Sequence, residues 1–362
     1  METQKTTQHP IPFFPYRSVH LFPLNHSVHR NLIPGPYLSH DAPVMKTFLK
    51  QYAPGPLSGF LLALAFPAFD GHPLVWLALV PLFWHAAQAP LRQSAIHFFA
   101  AGWVFHSLVL QWLMANIFWG GGWAVIGYQL LCAGWALFWA ASGSLWAWAR
   151  ARNPRIAGAA ALAILWGAME WLQATLFTGF GWTAIGYSQG PNLLMAQWAA
   201  IGGVSFVSII VVGVNALLAL GLAEKRGRWA RLAAAMLIAV SAHGIGAALL
   251  GQADYDTAPY KAGLYQSNYP QEMKWDPAYL VDMVSRAAEQ SGKLSTLERV
   301  DLLVWPEALV MRHYERPPLL EIMQSLSTET RAYLFAGAVR NAADTGRSFN
   351  SSVLIRPDGG AV

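Results

Sequence analysis

Between residues 57 and 250 the chain carries only three acidic and eight basic residues among mostly apolar and small ones. A stretch of that length with so few charges does not fit a water-exposed domain, in which about a quarter of the residues are charged. It fits a chain that crosses a lipid bilayer repeatedly. A helix needs about 20 apolar residues to span the hydrocarbon, fewer where the bilayer thins. Seven segments are candidates: 57–69, 73–89, 94–116, 123–149, 156–176, 193–222 and 230–250. The first two are short and meet at Pro67 and Pro73, so one re-entrant hairpin serves as well as two spans.

The basic residues orient these segments. Lys46 and Lys50 precede the first, Arg92 separates the second from the third, and Arg150, Arg152 and Arg155 follow the fourth. Lys225, Arg226, Arg228 and Arg231 lie between the sixth and seventh. The alternate loops, near 70, at 117–122 and at 177–192, contain no Lys or Arg. Positive loops stay in the cytoplasm. Seven spans with a cytoplasmic N-terminus then put everything after 250 on the outer side, which in a bacterium with this topology is the periplasm. Those outer loops, NIFWGGGW (116–123) and FTGFGWTAIGYSQGPN (177–192), are rich in Gly and aromatics. An interfacial aromatic belt accounts for most of them, with a lipid-facing platform as the functional alternative.

The rest of the 362 residues is different material. Of 19 acidic residues, 14 lie after position 250. There, strands are expected near 259–266, 300–305, 332–339 and 350–356, with helices near 277–291 and 317–330. Strands alternating with helices predict an α/β layered domain. The turn PDGG near 357–360 normally feeds another strand, so the sheet reads as cut partway. Residues 1–56 read as a leader and short cytoplasmic end. Residues 1–44 carry seven Pro and five His, are expected to be disordered, and point to Met45 as the true start. The single cysteine, Cys132, excludes a disulfide framework and a Cys-rich zinc site. No metal spacing or phosphate-cradling loop is visible, and Gly120-Gly121-Gly122 reads as a turn. No nucleic-acid motif appears, since topology explains the basic loops.

Three places carry candidate chemistry. VDLLVWPEALV (300–310) is an apolar strand expected to stop at Trp305-Pro306, which places Glu307 at a strand's carboxyl end, where α/β folds gather catalytic groups. QSNYPQEMKWDP (266–277) reads alone as a loop with an exposed Trp275. Glu170 lies within an apolar segment, where a carboxylate is a functional candidate by default, although pairing with a neighbouring helix is a sufficient structural role.

Taken in order, LAFPAFDGHPLVWLALVPL (64–82), LFTGFGWTAIGYSQ (176–189), YQSNYPQEMKWDP (265–277), LLVWPEALV (302–310) and the AGAV to FNSSVLI pattern (336–355) resemble the bacterial apolipoprotein N-acyltransferases from about residue 57 onward. The resemblance implies an α-helical multi-pass membrane bundle followed by part of a periplasmic nitrilase-like αββα domain, in the inner membrane. It implies transfer of a phospholipid acyl chain to the N-terminal amine of a diacylglyceryl-cysteine lipoprotein, through a thioester on a Glu-Lys-Cys triad. Glu307 matches the family's general base, and Trp275 and Asn350 match substrate-site residues. The family's lysine segment, its cysteine and its last span match nothing here and are expected past Val362, so these 362 residues are expected to be inactive alone. Cys132, beside Leu130 and Leu131 in an apolar segment, does not fit a nucleophile. Val310-Met311 replaces a proline common in the family. The resemblance calls for no cofactor and for a monomer. Two other readings stand: amide hydrolysis by a nitrilase-like domain, against which a membrane half argues, and a non-enzymatic transporter or scaffold with an outer binding domain, against which the lack of internal repeats argues.

Overall fold

The computed structural model describes residues 52–67, 69–116, 121–154, 157–176, 179–252, 259–341 and 346–362. The leader expected over 1–44, the start at Met45 and the middle of the NIFWGGGW loop lie outside those residues. The chain divides into two compact units, one up to Ala247 and one from Ala248.

The first unit is helical. Its elements are α1 (Pro54–Leu64), a 3₁₀ turn (His72–Leu74), α2 (Val75–Ala78), α3 (Val80–Ala86) and α4 (Leu91–Val109). A second 3₁₀ stretch (Gln111–Asn116), α5 (Trp123–Arg152) and α6 (Ala159–Thr175) follow. A third 3₁₀ turn (Ile185–Gln189) leads to α7 (Leu193–Ala196), α8 (Ala199–Ala223) and α9 (Arg228–Gly251). Among the described residues three helices, α5, α8 and α9, are long and apolar enough to cross a membrane by length and composition. The segments expected at 57–69 and 73–89 are shorter apolar helices.

Two of the expected spans are broken, for reasons written in the sequence. Over 72–89, Pro81 lacks an N–H and divides the helix into α2 and α3. The polar groups freed at the break are met from another helix. Asn215 of α8 accepts from the Leu79 N–H at 3.0 Å and donates to the Val75 carbonyl at 2.9 Å, and Asn215 itself is fully buried. Over 193–222, Gly202 and Gly203 leave helical geometry, Gly203 with φ of 67°. Such freedom belongs to glycine, and it splits the expected span.

The core of this unit is aromatic. Phe83 stacks on Phe98 with ring centroids 5.8 Å apart, and Trp139 meets Trp166 edge-on at 4.6 Å. Gly55 and Gly59 put α1 directly against α4: a Cβ on Gly55 would lie 2.5 Å from the His97 carbonyl, and one on Gly59 would collide with that of Ala101. Small residues four apart allow such backbone contact between helices. At one end of the unit Glu224 pairs with both Arg150 and Arg231, joining α5, the α8–α9 turn and α9.

The second unit is α/β, as expected. It contains β1 (Ala262–Leu264), α10 (Gln271–Trp275), α11 (Pro277–Glu298), β2 (Leu302–His313), α12 (Leu319–Thr330), β3 (Tyr333–Asn341) and β4 (Ser348–Ile355). The strands form one sheet in the order β1-β2-β3-β4. The first three are parallel, and β4 runs antiparallel to β3. Leu303, Trp305, Leu334, Ala336, Val353 and Ile355 pack on Leu280, Val284, Met323 and Leu326 of the two long helices. The opposite face leaves Tyr333 and Phe335 exposed. After β4, Arg356 N–H donates to the Gly360 carbonyl at 2.8 Å, and Val362 exchanges hydrogen bonds with Leu354. The expected turn at PDGG is present, and Ala361 forms one isolated antiparallel bridge with Ile355.

Two expectations need correction here. The strand expected to stop at Trp305 runs on to His313. Its pairing with β3 breaks instead of ending: Trp305 pairs with Ala336, and the next partner of β3 is Val310 opposite Ala338. Pro306 interrupts the ladder but the chain bulges and rejoins it. The loop expected through Trp275 contains the helical turn α10, started by the Lys274 N–H on the Pro270 carbonyl at 3.3 Å.

Candidate active site

The bulge in β2 sets Glu307 on the sheet. Trp305 is buried and donates its indole N–H to Ser291 of α11 at 2.9 Å, which anchors the strand just before the bulge. Beneath the bulge lies Gly337 of β3. A Cβ there would stand 2.6 Å from the Glu307 Cα and 3.2 Å from the Pro306 carbonyl oxygen. A glycine in a strand interior marks such a close approach of another backbone.

Asn350 comes to the same place from β4, where it pairs in register with Val339. Its Nδ2 donates to Glu307 Oε1 at 2.7 Å. Both residues are exposed and line an open groove of about 440 Å³ with Phe335, Gly337, Ser351 and Ser352. A carboxylate held by one neutral donor, with its second oxygen open to a groove, is placed to take a proton from a group entering there.

Trp275 lies apart from this groove. It is 55% exposed and borders a separate hollow of about 320 Å³ with Lys274, Leu280, His313, Val339 and Ser348. Asp276 and Pro277, next to it, start α11: the Asp276 carboxylate accepts from the Ala278 N–H at 2.9 Å and Pro277 takes the first turn. Capping accounts for those two residues. The structure thus joins Glu307 to Asn350 and leaves Trp275 in a hollow of its own. Sequence reasoning missed His313, whose Nδ1 is buried with no partner among the described residues, and Gly337, whose only signal was a glycine inside a strand.

Glu170 is in the first unit. Its Oε1 accepts from the Trp166 indole at 2.9 Å and from the Ile185 N–H at 2.9 Å. The Gly186 N–H is met by Ser208 of α8 at 2.8 Å. These bonds tie the Ile185–Gln189 turn to α6 and α8, while the Glu170 Oε2 is buried and has no hydrogen-bond partner among the described residues. Cys132 is buried beside Leu110 and Tyr128. Among the described residues no group of three or more His, Cys, Asp or Glu is fit to hold a metal ion.

Comparison with known proteins follows the same division. Residues 58–217 match the family model of the apolipoprotein N-acyltransferase N-terminal domain. An apolipoprotein N-acyltransferase of Nitrosomonas europaea is 31% identical over 283 residues, which are 76% of this chain and 55% of the relative. The protein of that name from Geobacter metallireducens is 28% identical over 331 residues, 86% and 62% of the two chains. The one from Pseudomonas putida is 30% identical over 310 residues, 83% and 60%. The chain therefore spans little more than half the length of these relatives, and over most of its own length it is similar to apolipoprotein N-acyltransferases.

Proposed function

We propose that the chain is the amino-terminal part of an enzyme that acylates lipoproteins at their N-terminal amine, with Glu307 as general base. The observation that carries the reading is the Glu307 carboxylate, seated on the β2 bulge, held by Asn350 at 2.7 Å and open to a groove. The names of the relatives supply the acceptor and the kind of reaction.

In this reading the second unit is part of a nitrilase-like sandwich on the outer face of a bacterial inner membrane. The first unit crosses that membrane seven times from a cytoplasmic N-terminus. Glu307 removes the proton from a cysteine thiol, and the thiolate attacks an ester carbonyl of a phospholipid. A lysine stabilises the oxyanion, and the lysophospholipid leaves with a proton. The amine of a diacylglyceryl-cysteine then attacks the thioester, forms the amide and releases the thiol. Asn350 keeps the carboxylate turned to the groove, and Trp275 contributes to substrate binding from the neighbouring hollow. The protein works as a monomer. The lysine and the cysteine match none of these 362 residues, so this chain alone does not turn over.

Reading the gene past codon 362 and assaying the product on a phospholipid and a diacylglyceryl-cysteine peptide tests the proposal. Expected are a downstream lysine and cysteine and acyl transfer by the longer product, with none by the 362-residue chain. Transfer by the 362-residue chain itself would overturn the assignment of nucleophile and lysine.

A further inference from the structure

The hollow beside Trp275 and the groove beside Glu307 are neighbours on one sheet. Gly337 and Asn350 line the groove, and Val339 and Ser348, each two residues away along β3 and β4, line the hollow. Residues two apart in a strand share a face and stand about 7 Å apart. Val339 also pairs in register with Asn350, whose amide holds the Glu307 carboxylate. The hollow therefore begins about 7 Å along the strands from the place where Glu307 is held.

The lining of the hollow pairs an apolar wall with a cation. Trp275, Pro277, Leu280 and Val339 form the wall, and Lys274 stands among them, half-buried. Lys261 and Lys293 are taken up in ion pairs with Glu298 and Glu289, whereas Lys274 joins none among the described residues. Asp276 borders the hollow too, but its carboxylate accepts from the Ala278 N–H at 2.9 Å at the start of α11. The positive end of that helix already answers its charge. The buried Nδ1 of His313 is beyond an occupant's reach. An occupant thus meets the Lys274 ammonium and an apolar wall, which together fit an amphipathic anion. A free inorganic anion uses the ammonium and leaves the wall unpartnered. A neutral chain uses the wall and strips water from the ammonium without replacing it, which is costly. Length selects further. In a glycerophospholipid five or six bonds separate each acyl carbonyl carbon from the phosphorus, an extended span of about 6–7 Å, much as for two residues of backbone. An ester carbonyl in the groove therefore places its phosphate in the hollow.

We infer, on the reading of Glu307 as the base, that Lys274 holds the phosphate of the phospholipid donor while the Trp275 indole lies against its glycerol. Lys274 thereby makes the site specific for acyl donors that carry a phosphate. A lysine binds phosphate as a point charge through a charge-assisted hydrogen bond, and its long stem lets the ammonium follow the headgroup. Trp275 and Lys274 then divide the work on the donor: the ring takes the apolar part and the ammonium takes the charge.

The test is lysine footprinting of the 362-residue chain in a phosphorus-free maltoside detergent, by reductive methylation read residue by residue in a mass spectrometer. Phosphatidylglycerol should slow the labelling of Lys274 about fivefold where the lipid exceeds its Kd severalfold, with Lys293 of α11 as the unprotected reference. A diacylglycerol with the same chains should not. Ser348→Trp, which fills the hollow from β4 and leaves Lys274 in place, should abolish the protection, and circular dichroism checks that this variant stays folded. Equal labelling of Lys274 with and without phospholipid overturns the proposal, as does equal protection by the diacylglycerol. Equal protection by millimolar inorganic phosphate makes this a free-anion site and overturns the lipid assignment. In the longer gene product, Lys274→Gln should raise KM for phospholipid about tenfold, the loss of one charge-assisted hydrogen bond, and leave kcat unchanged. An unchanged KM overturns the proposal as well. Failure of the base assignment would show instead in Glu307→Gln turning over at the wild-type rate, which leaves the Lys274 protection untouched.

Discussion

Gly337 decides where Glu307 stands. The bulge at Pro306-Glu307 rests its backbone directly over the glycine, with room for a hydrogen and none for a methyl group. Gly337→Ala should therefore push the bulge off β3. Overpacking of this kind costs about 1–3 kcal/mol, to be read as a lower unfolding midpoint in denaturant. It should also break the Glu307–Asn350 hydrogen bond. An alanine variant as stable as the wild type would show that the bulge has slack that the geometry denies. At this scale the sequence was readable only in part. The W-P-E run pointed to Glu307, and Asn350 was matched only through the family resemblance. That they touch depends on the pairing of Asn350 with Val339 across β3 and β4, a tertiary fact. Pro306 was misread as a strand end because a missing N–H does not tell a stop from a bulge.

Among the elements, the helix broken between α2 and α3 is the most instructive. In an unbroken helix the Leu79 N–H would bond to the Val75 carbonyl, and Asn215 stands between those two groups, bonding to both. In a membrane interior every backbone polar group must find a partner within the protein. Asn215→Leu leaves two such groups unpaired, at about 1–3 kcal/mol each. It should lower the thermal midpoint of the purified protein clearly, whereas Asn215→Gln should lower it less. No loss in the leucine variant would mean that the helix closes its own bond once the amide is gone. The prolines announced this break in the sequence, but nothing local pointed to a partner 136 residues away. The helices of the second unit were easier to read. Asp276-Pro277 is a start signal, and α11 and α12 carry one apolar stripe each, against the Val284 and Met323 core. Glu170 shows the opposite case: the sequence marks an acidic residue in an apolar segment, and the structure gives its Oε1 two donors, Trp166 and Ile185, and leaves its Oε2 buried without one among the described residues.

For the molecule as a whole, the chain divides into two compact units between Ala247 and Ala248. The proposed topology places the basic loops in the cytoplasm and the second unit outside. In a Cys132→Ser background, Lys225→Cys should react with a membrane-impermeant maleimide only in inverted vesicles, and Glu315→Cys only in intact spheroplasts. Both cysteines reacting from the same side would contradict an odd number of spans. The central claim, that Glu307 is the base for thiol attack on a phospholipid ester, has a more direct measurement. It is the rate of acyl-thioester formation in a single turnover by the longer gene product, wild type against Glu307→Gln. Loss of a positioned base slows such a step by about 10²–10⁴-fold, and the account predicts a loss in that range with phospholipid binding unchanged. A Glu307→Gln protein that forms the thioester at the wild-type rate would contradict it.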